Sequence, residues 1–214
     1  MSGTYALTEH DSKKLLAEYG VHISREVIAH SVDEAISCAE SIGFPVVLKL
    51  NGPDYMHKTE SDGVRLHLAD RAIVRSAAEE LFDRSDKPDS LLVSEHIRSS
   101  REFIAGVTRN TDFGLTLAFG LGGIFTEVIA DITFRLLPAT RYEIRSMFED
   151  LSSKALFKAF RGEPEIHVEE LTEVLFSISN CALDRKKIIS IDVNPILFPG
   201  GHPVAVDALV IAHE

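Results

Sequence analysis

Lys49 lies in the apolar run Val46-Val-Leu-Lys-Leu50, where an ammonium group is costly unless a partner or a ligand neutralises it. The turn formers Asn51-Gly-Pro-Asp54 follow, and then a polar loop with His57 beside Lys58. A cation on a strand, followed by a loop with an imidazole and a second cation, suits a site that handles phosphate. Ammonium groups neutralise the anion, and imidazole is a competent nucleophile for it. Taken without neighbours, the same residues also fit a lysine that snorkels from a strand end and a histidine idle in solvent.

A second constellation lies at the far end of the chain, in Ser190-Ile-Asp192-Val-Asn194-Pro195 and Val204-Ala-Val-Asp207. In a strand, side chains two apart share a face, so Asp192 and Asn194 point the same way. If the second segment pairs back antiparallel, Asp207 joins them. Carboxylates and an amide oxygen are hard ligands suited to Mg²⁺, which keeps several waters and takes its other ligands from nucleotide phosphates. A merely polar strand face has the same spacing.

Three weaker signals remain. Phe119-Gly-Leu-Gly-Gly-Ile-Phe125 is not a dinucleotide fingerprint, and the chain has no Walker A sequence. Gly122 and Gly123 allow either close approach of the backbone to an anion or an ordinary sheet turn. Arg101-Glu102, at a strand start, and Arg135, in an apolar run, fit structural ion pairs, and the arginines equally fit a bidentate phosphate clamp. Glu95, closing a strand, either accepts a hydrogen bond from an adenine amine or ends the strand in solvent.

The elements that must position these groups follow from patterning. Thr8 precedes an amphipathic helix over Glu9 to Tyr19, with Leu15, Leu16 and Tyr19 as its apolar stripe. Val21 to Ala29 reads as extended, Ser31-Val-Asp-Glu34 opens a helix through Ile42, and Val64 to Leu68 alternates as a strand. Asp70 to Phe82 is helical by its apolar spacing, and residues 84–90 mark a lobe boundary. Strands then follow at Leu91 to Ile97, Glu102 to Thr108, Leu115 to Phe119, Thr126 to Ile129 and Thr133 to Leu136, joined by short loops as in an antiparallel sheet. Helices are expected at Arg141 to Asp150, Ser153 to Phe160 and Val168 to Leu183. Strands are expected at Ile188 to Val193, broken by Pro195, and at Pro203 to Ile211.

With 214 residues, 45% of them hydrophobic, the chain can bury a core as one domain or two packed lobes. Its net charge of −11 repels nucleic acid and anionic membranes, so an anionic ligand must meet local cations. No run approaches a membrane span, and Met1 to His10 has no signal-peptide pattern. A cytoplasmic location is expected. Cys38 and Cys181 read as reduced core thiols.

Taken in order, several motifs resemble the ATP-grasp β subunit of ADP-forming (NDP-forming) acyl-CoA synthetases, relatives of succinyl-CoA synthetase. They are the Leu7 to Gly20 opening, Gly43-Phe-Pro-Val-Val-Leu-Lys49, Pro53-Asp-Tyr-Met-His-Lys58, Arg101-Glu-Phe, Phe119 to Phe125 with Glu127-Val128, Phe134-Arg-Leu, and Ile191-Asp-Val-Asn-Pro195 with Val206-Asp-Ala208. The resemblance implies an α/β ATP-grasp fold, two lobes with the nucleotide between them. The smaller lobe would span residues 20–88 and the larger residues 89–214 with helix 8–19. It implies that Lys49 contacts the nucleotide phosphates and adenine, that Glu95 sits at the adenine end, and that Lys58 and Glu102 lie on the nucleotide side.

Asn194 and Asp207 would ligate Mg²⁺ with Asp192 beside them. His57 would receive a phosphoryl group from a histidine on a CoA-binding α subunit and pass it to ADP, with Lys58 offsetting the charge. Gly122, Gly123 and Arg135 would lie near phosphate or the partner. The implied ligands are ATP/ADP, Mg²⁺, CoA, carboxylate and phosphate, in a hetero-oligomer with no nucleic acid and no membrane. Asp62 stands where the family has glycine. Two alternatives share the motifs: an ATP-grasp carboxylate ligase working through an acyl-phosphate, and a regulatory ATP-binding domain of a larger acyltransferase.

Overall fold

The computed structural model describes residues 3–52, 62–84, 88–123 and 130–214. In chain order the elements are β1 (Thr4–Ala6), α1 (Glu9–Glu18), β2 (Glu26–Ala29), α2 (Val32–Ile42), β3 (Val46–Asn51), β4 (Val64–Leu68), α3 (Arg71–Phe82) and β5 (Ser90–Glu95). There follow β6 (Glu102–Asn110), β7 (Gly114–Leu121), β8 (Ile132–Leu136), α4 (Arg141–Asp150), α5 (Val168–Asp184), β9 (Ile188–Leu197), β10 (Val204–Ala205) and β11 (Ala208–His213). The chain divides into a smaller unit, Thr8–Asp11 with Ser24–Ile97, and a larger one, Met1–Leu7, Ser12–Ile23 and Arg98–Glu214. The first turn of α1 belongs to the smaller unit and its remainder to the larger.

The smaller unit is a four-stranded antiparallel sheet in the order β2-β5-β3-β4. Alternation sends Val46, Leu48, Leu50, Leu91 and Val93 into a core with Ala35, Ile36 and Ala39 of α2 and Val74, Ala78 and Leu81 of α3. Both helices start where a side chain satisfies their free amides. Ser31 accepts from the Glu34 amide, and Asp70 from those of Ala72 and Ile73. The sequence puts the lobe boundary near residues 84–90, but β5 pairs with β2 and β3, so the division falls between Ile97 and Arg98.

The larger unit holds the sheet β1-β11-β9-β6-β7-β8, with β10 pairing β9. Phe103, Phe119, Phe148, Phe157 and Phe198 pack in its core with Ile144 of α4 and Leu171, Leu175 and Ile178 of α5. Two elements differ from the sequence reading. Where a helix is expected over Ser153 to Phe160, only a 3₁₀ turn forms at Lys154–Phe157. The cause is Arg101, which is wholly buried. Its guanidinium draws the carbonyls of Leu156, Lys158 and Pro164 and the Glu163 carboxylate toward itself. Those carbonyls are thereby spent on the arginine instead of on a further helical turn.

The second difference is at Pro195, which does not break β9. Phe103 pairs with Ile196 and Ala105 with Val193, so β9 carries an extra residue at Asn194-Pro195. At such a bulge the missing amide hydrogen of proline costs no ladder bond. The expected strand over Thr126 to Ile129 lies outside the described residues. Both cysteines are free thiols, and burial pushes Cys181 up to about 11. Among the described residues no helix is long and apolar enough to cross a membrane.

Candidate functional site

In the smaller unit the face of the sheet opposite its core carries charged and polar side chains among apolar ones. Residues paired directly across antiparallel strands share a face. Val47 pairs Ser94, Ser94 pairs Glu26, and Lys49 pairs Leu92, so Glu26, Ser94, Val47 and Lys49 project together. The first turn of α1 supplies two more groups. The Lys49 ammonium donates to Glu9 Oε1 at 2.6 Å, with the two side chains only 6% and 4% exposed. His10 Nδ1 lies 3.0 Å from Glu26 Oε1. The burden of a charge in an apolar strand is thus met by a carboxylate forty positions away.

Two buried polar atoms on this sheet, Ser94 Oγ and Asn51 Oδ1, have no hydrogen-bond partner among the described residues. Buried polar atoms are almost always satisfied, so such orphans mark a surface suited to a polar ligand. Glu95 ends β5, where Oε1 accepts from the Arg25 amide at 2.8 Å and Oε2 from Arg25 Nε at 2.9 Å. His57 and Lys58 lie outside the described residues.

In the larger unit the expected antiparallel return of the chain is observed. Ala208 pairs Val193 and Leu209 pairs Asp192, while the Asn194 amide donates to the Asp207 carbonyl at 3.2 Å. Asp192, Asn194 and Asp207 are thereby gathered at one place on β9 and the β10–β11 junction. Desolvation and the nearby Asp207 carboxylate both hold the Asp192 carboxyl above its ordinary range. A carboxyl raised by burial and by a neighbouring carboxylate, beside an amide oxygen, fits a hard dication. Behind them Lys13, wholly buried on α1, donates from Nζ to the Val206 carbonyl at 3.1 Å and so fixes the residue before Asp207.

The raised Asp192 carboxyl has a pH consequence. A carboxyl whose folded pKa lies above its unfolded value of about 3.9 costs nothing in acid and destabilises progressively as pH rises past that point. In Mg²⁺-free buffer Asp192→Asn is therefore expected to raise the melting temperature at neutral pH. That gain should vanish well below pH ~4. Thermal melts at both pH values check this, and an equal gain at both would refute the charge origin.

The remaining predicted residues fall as follows. Glu102 opens β6 and pairs Leu197, and its carbonyl accepts from the Gly122 amide at 2.8 Å. A Cβ at Gly122 would lie 3.1 Å from that carbonyl, and one at Gly123, where φ is 78°, 3.2 Å from Glu102 Oε2. These glycines allow the loop to close on Glu102. Arg135 donates to Asp150, Ser146 Oγ and the Phe134 carbonyl. Glu9, His10, Glu26 and Lys13 were not singled out from sequence. Glu9, Ser12, Lys13 and Leu16 stand at helical spacing on α1, and all are buried. That polar stripe was the available signal.

An ATP-grasp domain model matches residues 1–211. The β subunit of acetate–CoA ligase (ADP-forming) II from Pyrococcus furiosus is 34% identical, over 98% of this chain and 92% of the relative. The chain belongs to the ATP-grasp family of ADP-forming acyl-CoA ligase β subunits and domains. Another member, acetate–CoA ligase (ADP-forming) I from Archaeoglobus fulgidus, is 32% identical over 94% of this chain, which spans only 30% of that longer protein. The structure agrees. The acetyl-coenzyme A synthetase 1 of Ca. Korarchaeum cryptofilum, solved with coenzyme A and Ca-AMPCP, superposes with a TM-score of 0.92 at 30% identity, covering 97% of this chain and 93% of that one. A further structure of the same synthetase contains Mg-AMPPCP and a phosphohistidine segment pointing towards the nucleotide-binding site, with a TM-score of 0.84 and 31% identity, covering 97% of this chain and 93% of that one. The two sheets with their helices are thus the ATP-grasp fold.

Proposed function

We propose that this chain is the nucleotide-binding β component of an ADP-forming acyl-CoA synthetase, interconverting acyl-CoA, ADP and phosphate with carboxylate, CoA and ATP. The observation that carries this reading is the gathering of Asp192 and Asn194 on β9 with Asp207 at the β10–β11 junction beside them, a donor set suited to Mg²⁺ accompanying a nucleotide. The ion would supply charge neutralisation for the phosphates. In the smaller unit Lys49, paired with Glu9, is assigned to the nucleotide phosphates, with Ser94 and Asn51 offering hydrogen bonds and Glu95 at the adenine end. Glu102, Gly122 and Gly123 form a close-packed turn that is assigned to the phosphate side, and Arg135 to the partner side.

His57 acts as the carrier. Its ring nitrogen attacks phosphorus in a phosphohistidine of the α partner, the P–N bond there breaks, and a new P–N bond forms on His57. A terminal oxygen of the ADP β-phosphate then attacks that phosphorus and releases the imidazole, with Lys58 offsetting charge throughout. CoA and the acid belong to a CoA-binding α subunit or domain. The subunit naming of the Pyrococcus relative and the greater length of the Archaeoglobus one support this. Because ATP and CoA are cytoplasmic pools, the reaction is assigned to the cytoplasm.

The test is reconstitution with the cognate α component, Mg-ATP, CoA and a panel of carboxylic acids. CoA-dependent ADP release and an acid-labile, base-stable phosphoprotein are expected. No ADP release across the panel would sink the assignment, and acyl-phosphate turnover without a phosphoprotein would favour the carboxylate-ligase alternative.

A further inference from the structure

On the larger unit a second group of ligating side chains has no part in the nucleotide chemistry above. His167 precedes the first turn of α5, Glu170 lies in that turn, and His202 follows the 3₁₀ turn Pro199–Gly201. One ligand atom from each residue falls within 4.8 Å of the others. Glu170 bridges the two rings, with Oε1 3.2 Å from His167 Nδ1 and Oε2 2.8 Å from His202 Nδ1. The imidazole centroids are 3.9 Å apart.

This proximity is built into the backbone. The His167 amide donates to the Gly201 carbonyl at 2.9 Å, which ties the start of α5 to the turn carrying His202. Gly201 has φ 90°, and a Cβ there would lie 2.4 Å from the Glu165 carbonyl oxygen. Only glycine permits this approach. The side chains remain reachable, being about half exposed (46%, 46% and 51% for His167, Glu170 and His202). His167 also lines a 750 Å³ cavity with Tyr142, Lys158 and Glu165, so an ion held there has room for a water ligand.

The donor chemistry discriminates among ions. Two imidazole nitrogens and one carboxylate oxygen suit Zn²⁺ and neighbouring transition dications, whereas Mg²⁺ and Ca²⁺ prefer oxygen alone. Ligand bonds to Zn²⁺ are about 2.0–2.2 Å. Donors around such a tetrahedron stand about 3.3–3.6 Å apart, so a set lying within 4.8 Å of one another reaches it by small side-chain torsions. We propose that His167, Glu170 and His202 form a binding site for a transition dication of the Zn²⁺ class, with three protein ligands and a water completing a tetrahedron. The site is separate in residues and in ligand chemistry from the oxygen set at Asp192, Asn194 and Asp207.

Co²⁺ serves as a spectroscopic probe. The full-length chain, free of any affinity tag, is titrated with Co²⁺ in excess Mg²⁺, which occupies oxygen-only sites. The expected result is the visible absorption of four-coordinate Co²⁺, saturating at one ion per chain and discharged by Zn²⁺. The double variant His167→Ala/His202→Ala should lose it, and Glu170→Gln should weaken Co²⁺ binding by about tenfold or more. Both variants should keep the wild-type circular dichroism, because all three side chains are partly exposed. Absence of four-coordinate absorption in the wild type, or its survival in a folded double variant, overturns the proposal.

Discussion

His57→Ala is expected to lower turnover by about 10⁴-fold or more, the scale seen when a covalent nucleophile is removed, while Mg-nucleotide binding by the chain is unchanged. Alanine leaves no atom able to accept the phosphoryl group, whereas Lys49 and the Asp192–Asn194–Asp207 set are untouched. The measurement pairs steady-state ADP release in the reconstituted enzyme with calorimetric titration of Mg-ATP. Trapping with labelled ATP should show that the phosphoprotein band of this chain disappears. Retention of full turnover would remove the carrier role and leave the ATP-grasp assignment intact. Loss of nucleotide affinity along with turnover would instead point to misfolding, which circular dichroism resolves.

Lys49→Met is expected to destabilise the protein by about 3–5 kcal/mol, the usual consequence of removing one partner of a buried ion pair. The Lys49–Glu9 contact is 2.6 Å long, and the two side chains are only 6% and 4% exposed. Without the ammonium the Glu9 carboxylate loses the charge partner that stands 2.6 Å away. Adding Glu9→Leu should recover most of the stability, since a well-packed apolar pair often replaces a buried ion pair without loss. Nucleotide affinity should not recover if Lys49 is the phosphate contact proposed above, because that cation is still missing. Urea denaturation and Mg-ATP titration of the two single variants and the double variant complete the cycle. If the double variant regained both stability and nucleotide affinity, Lys49 would be a structural residue alone.

The legible parts of this protein are those whose physics is local. The Ser31-Val-Asp-Glu34 cap signature and the apolar spacing after Asp70 announced α2 and α3 because a helix start is settled by side chains within one turn. The alternation Ile191-Asp192-Val193-Asn194 announced a strand with Asp192 and Asn194 on one face, because period two is a property of the extended backbone itself. The ATP-grasp fold expected from the order of motifs is the fold observed.

The less legible parts depend on residues far apart in the chain. Lys13, not singled out from sequence, is wholly buried and donates to the Val206 carbonyl. Ser153 to Phe160 has an acceptable helical pattern, yet Arg101 takes its carbonyls into a cluster with Glu163, 62 positions distant.

Local pattern in the chain was enough for most of the strands and helices, for the shared face of Asp192 and Asn194, and for the family to which the order of the motifs belongs. Only the tertiary structure decided that Glu9 is the counter-charge of Lys49, that β10 and β11 bring Asp207 beside Asn194, and that His167 and His202 share one carboxylate. The physical reason is that charge pairing and ligand clustering depend on distances of a few ångströms. In residues tens of positions apart, chain connectivity leaves those distances free until the sheets close.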